Sequence, residues 1–228
     1  MNLTRRERVR AATIDEIKEI ARQHMAEKGA AALSLRAIAR EMGMTSPALY
    51  RYFASRDALV TALIVDAYNA FADALEAARD AYAEDDHAER LINIGCAYRN
   101  WALAFPQQYS LIFGTPIPGY EAPAEITRPV AARSMMIFLN VLHDAEQSGN
   151  VDCSEIEIDF SPAVQTQLQP WKDSLQFQGN SKLLYLAISN WGLIHGLVTL
   201  EIFGHLEGVS GAFFEAEVKA LVKRLKLK

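Results

Sequence analysis

Helix start and stop signals follow one another closely between residues 34 and 56, whose sequence is SLRAIAREMGMTSPALYRYFASR. Ser34 can cap a first short helix, and Gly43 can end it in a turn that needs a positive φ. Ser46-Pro47 then supplies an N-cap and a proline at the first helical position, so a second short helix is expected through Phe53. The segment therefore predicts a helix-turn-helix.

The two short helices are predicted to have one apolar side and one polar side. Ile38, Leu49 and Phe53 are expected to face inward. In a helix-turn-helix, the second helix lies in a major groove with its N-terminal residues at base edges, and hydroxyl and guanidinium groups hold phosphates. A plain helical hairpin with a polar surface is the alternative. The candidate donors are Ser34, Arg36, Thr45, Ser46, Tyr50, Arg51, Tyr52 and Arg56.

Helical patterns continue along nearly the whole chain, so the expected fold class is all-α. Thr4 and Glu7 can form a capping box for a helix that ends at Lys28-Gly29. Ser55 can cap a long helix that reaches about Tyr82. Residues 155–160 are expected to form an extended loop, and a further helix begins at Ser161-Pro162 and is kinked or ended by Pro170. The other predicted helices cover residues 88–104, 107–114, 128–147, 181–204 and 211–226.

Charge is unevenly distributed along the chain. Residues 1–60 contain eleven Lys and Arg against seven Asp and Glu, a net charge of +4, whereas residues 61–228 contain twelve against twenty-one, a net charge of −9. Arg5, Arg6, Arg8 and Arg10 lie together at the start. A basic N-terminal part on an acidic body is expected where only the small part meets phosphates, although a solvated basic helix face gives the same pattern.

From about Thr4 to Leu63, the chain resembles the DNA-binding domain of the TetR/AcrR family of transcriptional regulators. The matching motifs are Lys28-Gly29, Leu35-x-x-Ile38-Ala39, Gly43-Met44-Thr45, Leu49-Tyr50-x-Tyr52-Phe53 and Ser55-Arg56-x-x-Leu59. The resemblance implies phosphate contacts from Ser34, Tyr50, Tyr52 and Arg56, and base contacts from Arg36, Thr45, Ser46 and Ala48. Tyr52 stands where the family frequently has His and Arg56 where it frequently has Lys, and both replacements keep a hydrogen-bond donor.

Two later motifs resemble the branch of this family whose C-terminal domain carries a Trp-His-Gly signature. They are Pro106-x-x-Tyr109-x-x-x-Phe113 with Pro118-Gly119-Tyr120, and Trp191-x-x-x-His195-Gly196. The resemblance implies a DNA-binding domain over residues 1–56 and an effector-binding and dimerisation domain over residues 57–228. The last two helices are more apolar than one core needs, so they are expected to pack against a second copy.

Aromatic residues are concentrated on segments that a helical bundle can bring together. A concave apolar site with a few polar tips is typical of small-molecule binding, so an apolar effector is expected here. Core packing explains each aromatic residue taken singly, and a histidine beside Gly196 fits a hydrogen-bonded packing residue equally well. The candidate lining residues are Trp101, Phe105, Tyr109, Phe113, Tyr120, Trp191 and His195.

Motifs of several other functional classes are absent from the sequence. There is no G-x-S-x-G elbow, Gly-rich phosphate loop or H-E-x-x-H helix, so no catalytic residue is assigned. Glu201 and His205 lack a third ligand, and Cys96 and Cys153 are too few for a disulfide framework, so neither a metal nor a cofactor is expected. Polar residues interrupt the apolar stretches and no signal-peptide core follows the N-terminus, which favours the cytoplasm and no membrane partner.

The sequence therefore predicts a homodimeric, DNA-binding transcriptional regulator. The specific hypothesis is a repressor that leaves a palindromic double-stranded operator when a small apolar effector binds. Two alternatives remain at this stage: an all-helical enzyme that acts on an apolar small molecule, and a regulator that responds to a protein partner.

Overall fold

A computed structural model describes residues 4–208, 211–225 and 227, and these residues form helices and connecting turns without a β-strand. The all-α prediction is confirmed. A short 3-10 turn at Ala30–Ala32 follows the first helix. The helices are α1 (Arg5–Lys28), α2 (Leu35–Glu41), α3 (Ser46–Tyr50), α4 (Arg56–Arg79), α5 (His87–Ala104), α6 (Pro106–Phe113), α7 (Ala124–Gln147), α8 (Pro162–Leu175), α9 (Ser181–Ile202) and α10 (Gly211–Arg224).

Local capping signals locate several helix starts correctly. The Thr4 hydroxyl accepts from the Glu7 amide while the Glu7 carboxylate accepts from the Thr4 amide, which completes the predicted capping box. Ser34 and Ser55 accept from the amides three residues later, at 3.4 and 3.0 Å. Ser161 caps α8 in the same way. These caps satisfy amides that would otherwise lack an intrahelical partner.

Other predicted boundaries are wrong. The N-cap of α3 is Thr45 rather than Ser46, and the helix ends at Tyr50 rather than Phe53. Helix α4 stops at Arg79, before Tyr82, and α10 ends at Arg224, while Lys226 lies outside the described residues. Helix α8 continues past Pro170 to Leu175, so Pro170 does not end it, because the loss of one hydrogen bond is tolerated where the rest of the helix is packed. Helix α7 likewise contains Pro129.

The chain divides into two compact units. The first contains the residues up to Tyr68 together with Gln107–Arg128. Its core includes Ile17, Ile38, Leu49 and Leu59, all fully buried, and Phe53, which is nearly so. The predicted inward orientation of Ile38, Leu49 and Phe53 is thus observed, whereas the predicted domain boundary at residue 56 stays a prediction.

The second unit contains Asn69–Pro106 and the residues from Pro129 onward. Within it, α5 packs against α9 and α10, and α8 packs against α9. Gly95 permits the close approach of α10, because a Cβ at that position would lie 2.7 Å from Val218 Cγ1. Arg99 of α5 donates from Nε to Glu201 Oε2 of α9 at 2.7 Å, which adds a partly buried ion pair to this packing.

Within the described residues, helices α4 and α9 are long and apolar enough to cross a membrane by length and composition alone, and the absence of a membrane partner stays a prediction. A helix inside a bundle meets the same test, and α4 buries Leu59, Leu63 and Phe71. In α9, only 28% of the most apolar window is buried. The apolar surface of α9 therefore exceeds what its own unit covers.

Candidate nucleic-acid interface and effector site

The turn between α2 and α3 is built as the sequence predicts. Gly43 has φ +64°, a left-handed conformation that suits glycine, and its amide donates to the Arg40 carbonyl oxygen. Leu49 and Phe53 then turn inward and attach α3 to the core. A helix of five residues is too short to be stable alone, so this attachment fixes its position.

The predicted DNA-binding residues lie on α2, on α3 and on the segments that flank them. Arg36, Thr45, Tyr50 and Arg51 are exposed, whereas Ser34, Ser46, Ala48, Tyr52 and Arg56 are half-buried. The Thr45 side chain makes no capping hydrogen bond, although Thr45 is the N-cap of α3. Its hydroxyl therefore stands at the start of α3, where base edges are contacted in helix-turn-helix complexes.

Arg56 makes contacts that sequence reasoning did not anticipate. Its Nη2 donates to the carbonyl oxygens of Ala30 and Ala31 at 3.0 and 3.3 Å, and its Nε donates to that of Leu33 at 3.2 Å. The guanidinium thus braces the turn before α2. The assignment of Arg56 to a phosphate stays a prediction, and a truncation at this position would also remove the brace.

Arg10 joins the start of α1 to the end of α3. Its guanidinium lies over the Tyr52 ring, 5.0 Å from the centroid, and its Nη2 donates to the Arg51 carbonyl oxygen at 3.2 Å. Sequence reasoning missed this role, and the only available signal was the cluster of arginines at the start of the chain. The contact combines a cation–π interaction with a hydrogen bond.

Two ion pairs and one hydrogen bond hold α1 against the rest of the first unit. Lys18 and Arg22 reach Asp66 of α4 at 2.9 and 3.4 Å, and His24 reaches Glu41 of α2 at 2.7 Å. These side chains are exposed or only partly buried, so each contributes little by itself. Together they connect α1 to two other helices of the unit.

Four of the seven predicted effector residues belong to the second unit. Trp101 is 5% exposed, and its ring centroid lies 4.9 Å from that of Phe71 and 5.9 Å from that of Phe105. Phe105 follows the end of α5 and is 45% exposed. The Trp101 Nε1 atom is buried and has no hydrogen-bond partner among the residues that the structure describes. A buried donor in this condition is costly unless an acceptor is supplied.

Trp191 and His195 lie on α9 and join the same group of rings. Their ring centroids are 5.6 Å apart, and His195 Nδ1 shares a hydrogen bond with the Tyr98 hydroxyl at 2.9 Å. The ring of Tyr98 in turn meets the edge of Phe71 at a centroid distance of 4.9 Å. Burial lowers the pKa of His195, so its imidazole is neutral at neutral pH.

The other three predicted effector residues belong to the first unit. Tyr109 is buried, and its ring lies 5.2 Å from that of Phe113. The Tyr120 hydroxyl shares a hydrogen bond with the Thr61 hydroxyl at 2.9 Å, and its ring packs against the core of this unit. Their role in effector binding stays a prediction.

The cysteines and the candidate metal pair have other environments. Cys153 is buried and its thiol donates to Glu146, and burial raises the pKa of Cys153 to about 12. Cys96 is half-buried, and burial raises its pKa as well. Glu201 pairs with Arg99 instead of His205. Within the described residues, no group of three or more His, Cys, Asp or Glu side chains could hold a metal ion.

Two family models match the chain. Residues 17–63 match the model for bacterial regulatory proteins of the tetR family. Residues 91–225 match the model for the tetracyclin repressor-like C-terminal domain. The first match contains α2 and α3, and the second contains most of α5 and all of α6 to α10.

Related sequences and solved structures agree with these matches. The chain is 34% identical over 212 residues to the HTH-type transcriptional regulator Rv1816 of Mycobacterium tuberculosis, covering 91% of this chain and 89% of the relative. It is 40% identical to the regulatory protein SCO4313, whose crystal structure superposes with a TM-score of 0.79 over 96% of this chain and 100% of the other. A protein of unknown function from Rhodococcus sp. RHA1 shares the fold at 21% identity, with a TM-score of 0.71 and coverage of 93% and 95%.

Replacement of Arg36 by alanine tests the base-reading assignment. The duplex is a palindrome that the wild-type protein selects from a randomised library. If Arg36 reads a base, the binding free energy for this duplex should weaken by about 1–3 kcal/mol in the variant. The preference for one base should also relax at one position of each half-site. Tyr50→Phe removes a predicted phosphate contact and should weaken all sequences alike. Fluorescence anisotropy titrations on single-substitution duplexes measure both effects. Unchanged affinity and preference in Arg36→Ala would refute the assignment.

Proposed function

The chain belongs to the TetR family of bacterial regulatory proteins, and we propose that it is a homodimeric repressor which a small apolar effector releases from a palindromic operator. It is a DNA-binding transcriptional regulator with a helix-turn-helix. The observation that carries the proposal is the exposed polar side of α2 and α3, held in place by the burial of Leu49. We assign it to the cytoplasm, where bacterial DNA is transcribed.

A regulatory role is favoured over the two alternatives from the sequence. Enzymatic activity would not explain the exposed hydrogen-bond donors of α2 and α3. The candidate site in the second unit consists of packed aromatic rings and one neutral histidine, which does not indicate a catalytic site. A regulator that answers to a protein partner would not need the unpartnered Trp101 donor. A small molecule with a hydrogen-bond acceptor accounts for it.

The dimer is proposed to form through α9 and α10. Leu193, Leu200 and Phe203 are 36%, 41% and 58% exposed, and with Gly196 they follow a spacing of three and four residues along one side of α9. A Cβ at Gly196 would meet no atom within 4 Å, so this side of the helix is open. Phe213 of α10 is also exposed. Such a spacing is typical of a seam between helices.

The proposed effector is apolar and uncharged, and it carries an acceptor for Trp101 Nε1. The rings around this atom are aromatic, and His195 is neutral because of its lowered pKa. The nearby charge of Arg99 is neutralised by Glu201. Burial of apolar surface at about 25 cal/mol per Å² can supply micromolar affinity without an ion pair.

Release follows if the effector binds best to a conformer whose two α3 helices do not match the half-sites. The half-sites of such an operator are about one helical turn apart, so a change in the spacing of the two recognition helices weakens binding. An effector with equal affinity for both conformers would change nothing, so its differential affinity sets the response.

Charge on the exposed side of α9 should break the dimer. In Leu200→Glu/Phe203→Glu, two carboxylates would be buried at the proposed seam, so the protein should sediment as a monomer and lose the palindromic duplex. Its melting temperature as a monomer should remain measurable, because neither side chain is in the core of one chain. Trp171→Glu is the matched control, since Trp171 is 47% exposed on α8. An intact dimer in the double variant would place the interface elsewhere.

Trp101→Phe should separate effector recognition from folding, because it removes the indole donor and keeps an aromatic ring. The probes are a neutral carbonyl compound that raises the wild-type melting temperature in a screen and the analogue with a methylene in place of the carbonyl. Affinity for the carbonyl compound should fall by about 0.5–1.5 kcal/mol, and affinity for the analogue should not change. Calorimetric titration measures both affinities, with operator binding as the control. Equal losses for both compounds, or joint loss of stability and operator binding, would contradict the proposed role.

A further inference from the structure

We propose that the first two turns of α1 form a second DNA-contact surface, which binds backbone phosphates outside the half-site occupied by α3. The inference rests on the proposed function, because it needs a duplex bound by α2 and α3. The surface consists of Arg5, Arg6, Arg8 and Arg10, all of which are exposed.

Two of the four arginines of this surface, Arg5 and Arg6, are available to a ligand. Arg5 and Arg6 form no hydrogen bond or ion pair with any residue that the structure describes. Glu7 is the acidic residue among them, but its carboxylate is bound to the amide and hydroxyl of Thr4 at 2.7 and 2.8 Å. It therefore serves the capping box, and it orders the helix from which the arginines project.

Helix stability does not explain why these arginines are here. The amide groups at a helix N-terminus carry a partial positive charge, so cations in the first turns are unfavourable and cations in the last turn are favourable. Helix α1 carries Arg5, Arg6 and Arg8 at its unfavourable end and only Lys28 in its last turn. An anion outside the chain would relieve the unfavourable arrangement.

The surface is continuous with the proposed DNA interface through Arg10. Arg10 lies against the Tyr52 ring and the Arg51 carbonyl group at the end of α3. Arg6 precedes Arg10 by one turn on the same side of α1, which extends the basic surface by about 6 Å. The end of α3 and the start of α1 thus present one basic strip.

A DNA duplex is the occupant that fits this strip. Duplex DNA carries one negative charge for about every 1.7 Å of its axis and continues past each half-site, so phosphates are available beside any region where α3 docks. The guanidinium group forms paired hydrogen bonds with phosphate oxygens. The contact is sequence-independent, and it should therefore add affinity and salt dependence without changing base preference.

The test compares Arg5→Ala/Arg6→Ala with Arg128→Ala/Lys172→Ala, which removes the same charge from α7 and α8, outside the proposed DNA and dimer surfaces. Each protein is titrated against two duplexes that carry the palindrome selected by the wild-type protein. One duplex ends at the outer edge of the half-sites, and the other extends by one helical turn, about 10 bp, at each end. For each combination of protein and duplex, the slope of the logarithm of the binding constant against the logarithm of the salt concentration is measured.

The wild type and the Arg128→Ala/Lys172→Ala control should show a steeper slope on the extended duplex. Arg5→Ala/Arg6→Ala should lose this difference, by about 0.9 in slope for each phosphate contact removed, and should keep its base preference. Arg5→Lys/Arg6→Lys should restore it, because the contact requires charge. The proposal would be overturned if Arg5→Ala/Arg6→Ala kept the same slope difference as the wild type. It would also be overturned if Arg5→Lys/Arg6→Lys did not restore that difference. Absence of salt-dependent binding in the wild type on both duplexes would instead refute the proposed function.

Discussion

The burial of Leu49 is the contact on which the DNA-binding surface depends. Helix α3 has only five residues, too few to hold a helical conformation in water. Leu49 is fully buried among the side chains of α1, α2 and α4, and Phe53 closes the same core just after the helix. Because the core fixes α3, the hydroxyl and guanidinium groups around it can remain exposed and still have defined positions.

Arginines in the first unit have two roles: some stabilise the helix-turn-helix, and others remain exposed and available to DNA. Arg56 binds three backbone carbonyl groups and Arg10 stacks on Tyr52, so both hold the helix-turn-helix together. Arg36 and Arg51 remain exposed. A count of basic residues therefore overstates the charge available to DNA, and the net charge of −5 for the whole chain understates it. Arg10 has both roles, because it braces the end of α3 and is also part of the proposed phosphate-binding surface.

Features that depend on neighbouring residues were predictable, and features that depend on tertiary contact were not. The capping box of Thr4 and Glu7 and the caps at Ser34 and Ser55 follow from residues three apart, and the burial of Ile38 and Leu49 follows from helical periodicity. The hydrogen bond between Thr61 and Tyr120 joins residues 59 positions apart, and no local sequence pattern predicts it. Likewise, Pro170 was expected to kink or end α8; it does not end the helix, because one lost hydrogen bond is a small part of its stabilisation, and the kink stays a prediction.

The central claim is that two copies of the chain present α3 to the two halves of a palindrome. The most direct measurement is a sedimentation titration of the wild-type protein with a duplex that it selects from a randomised library, repeated with one half-site scrambled. The account predicts two chains, or a multiple of two, on the intact palindrome, with affinity that falls steeply as salt rises, and a large loss on the scrambled duplex. A single chain bound with equal affinity to both duplexes would contradict it.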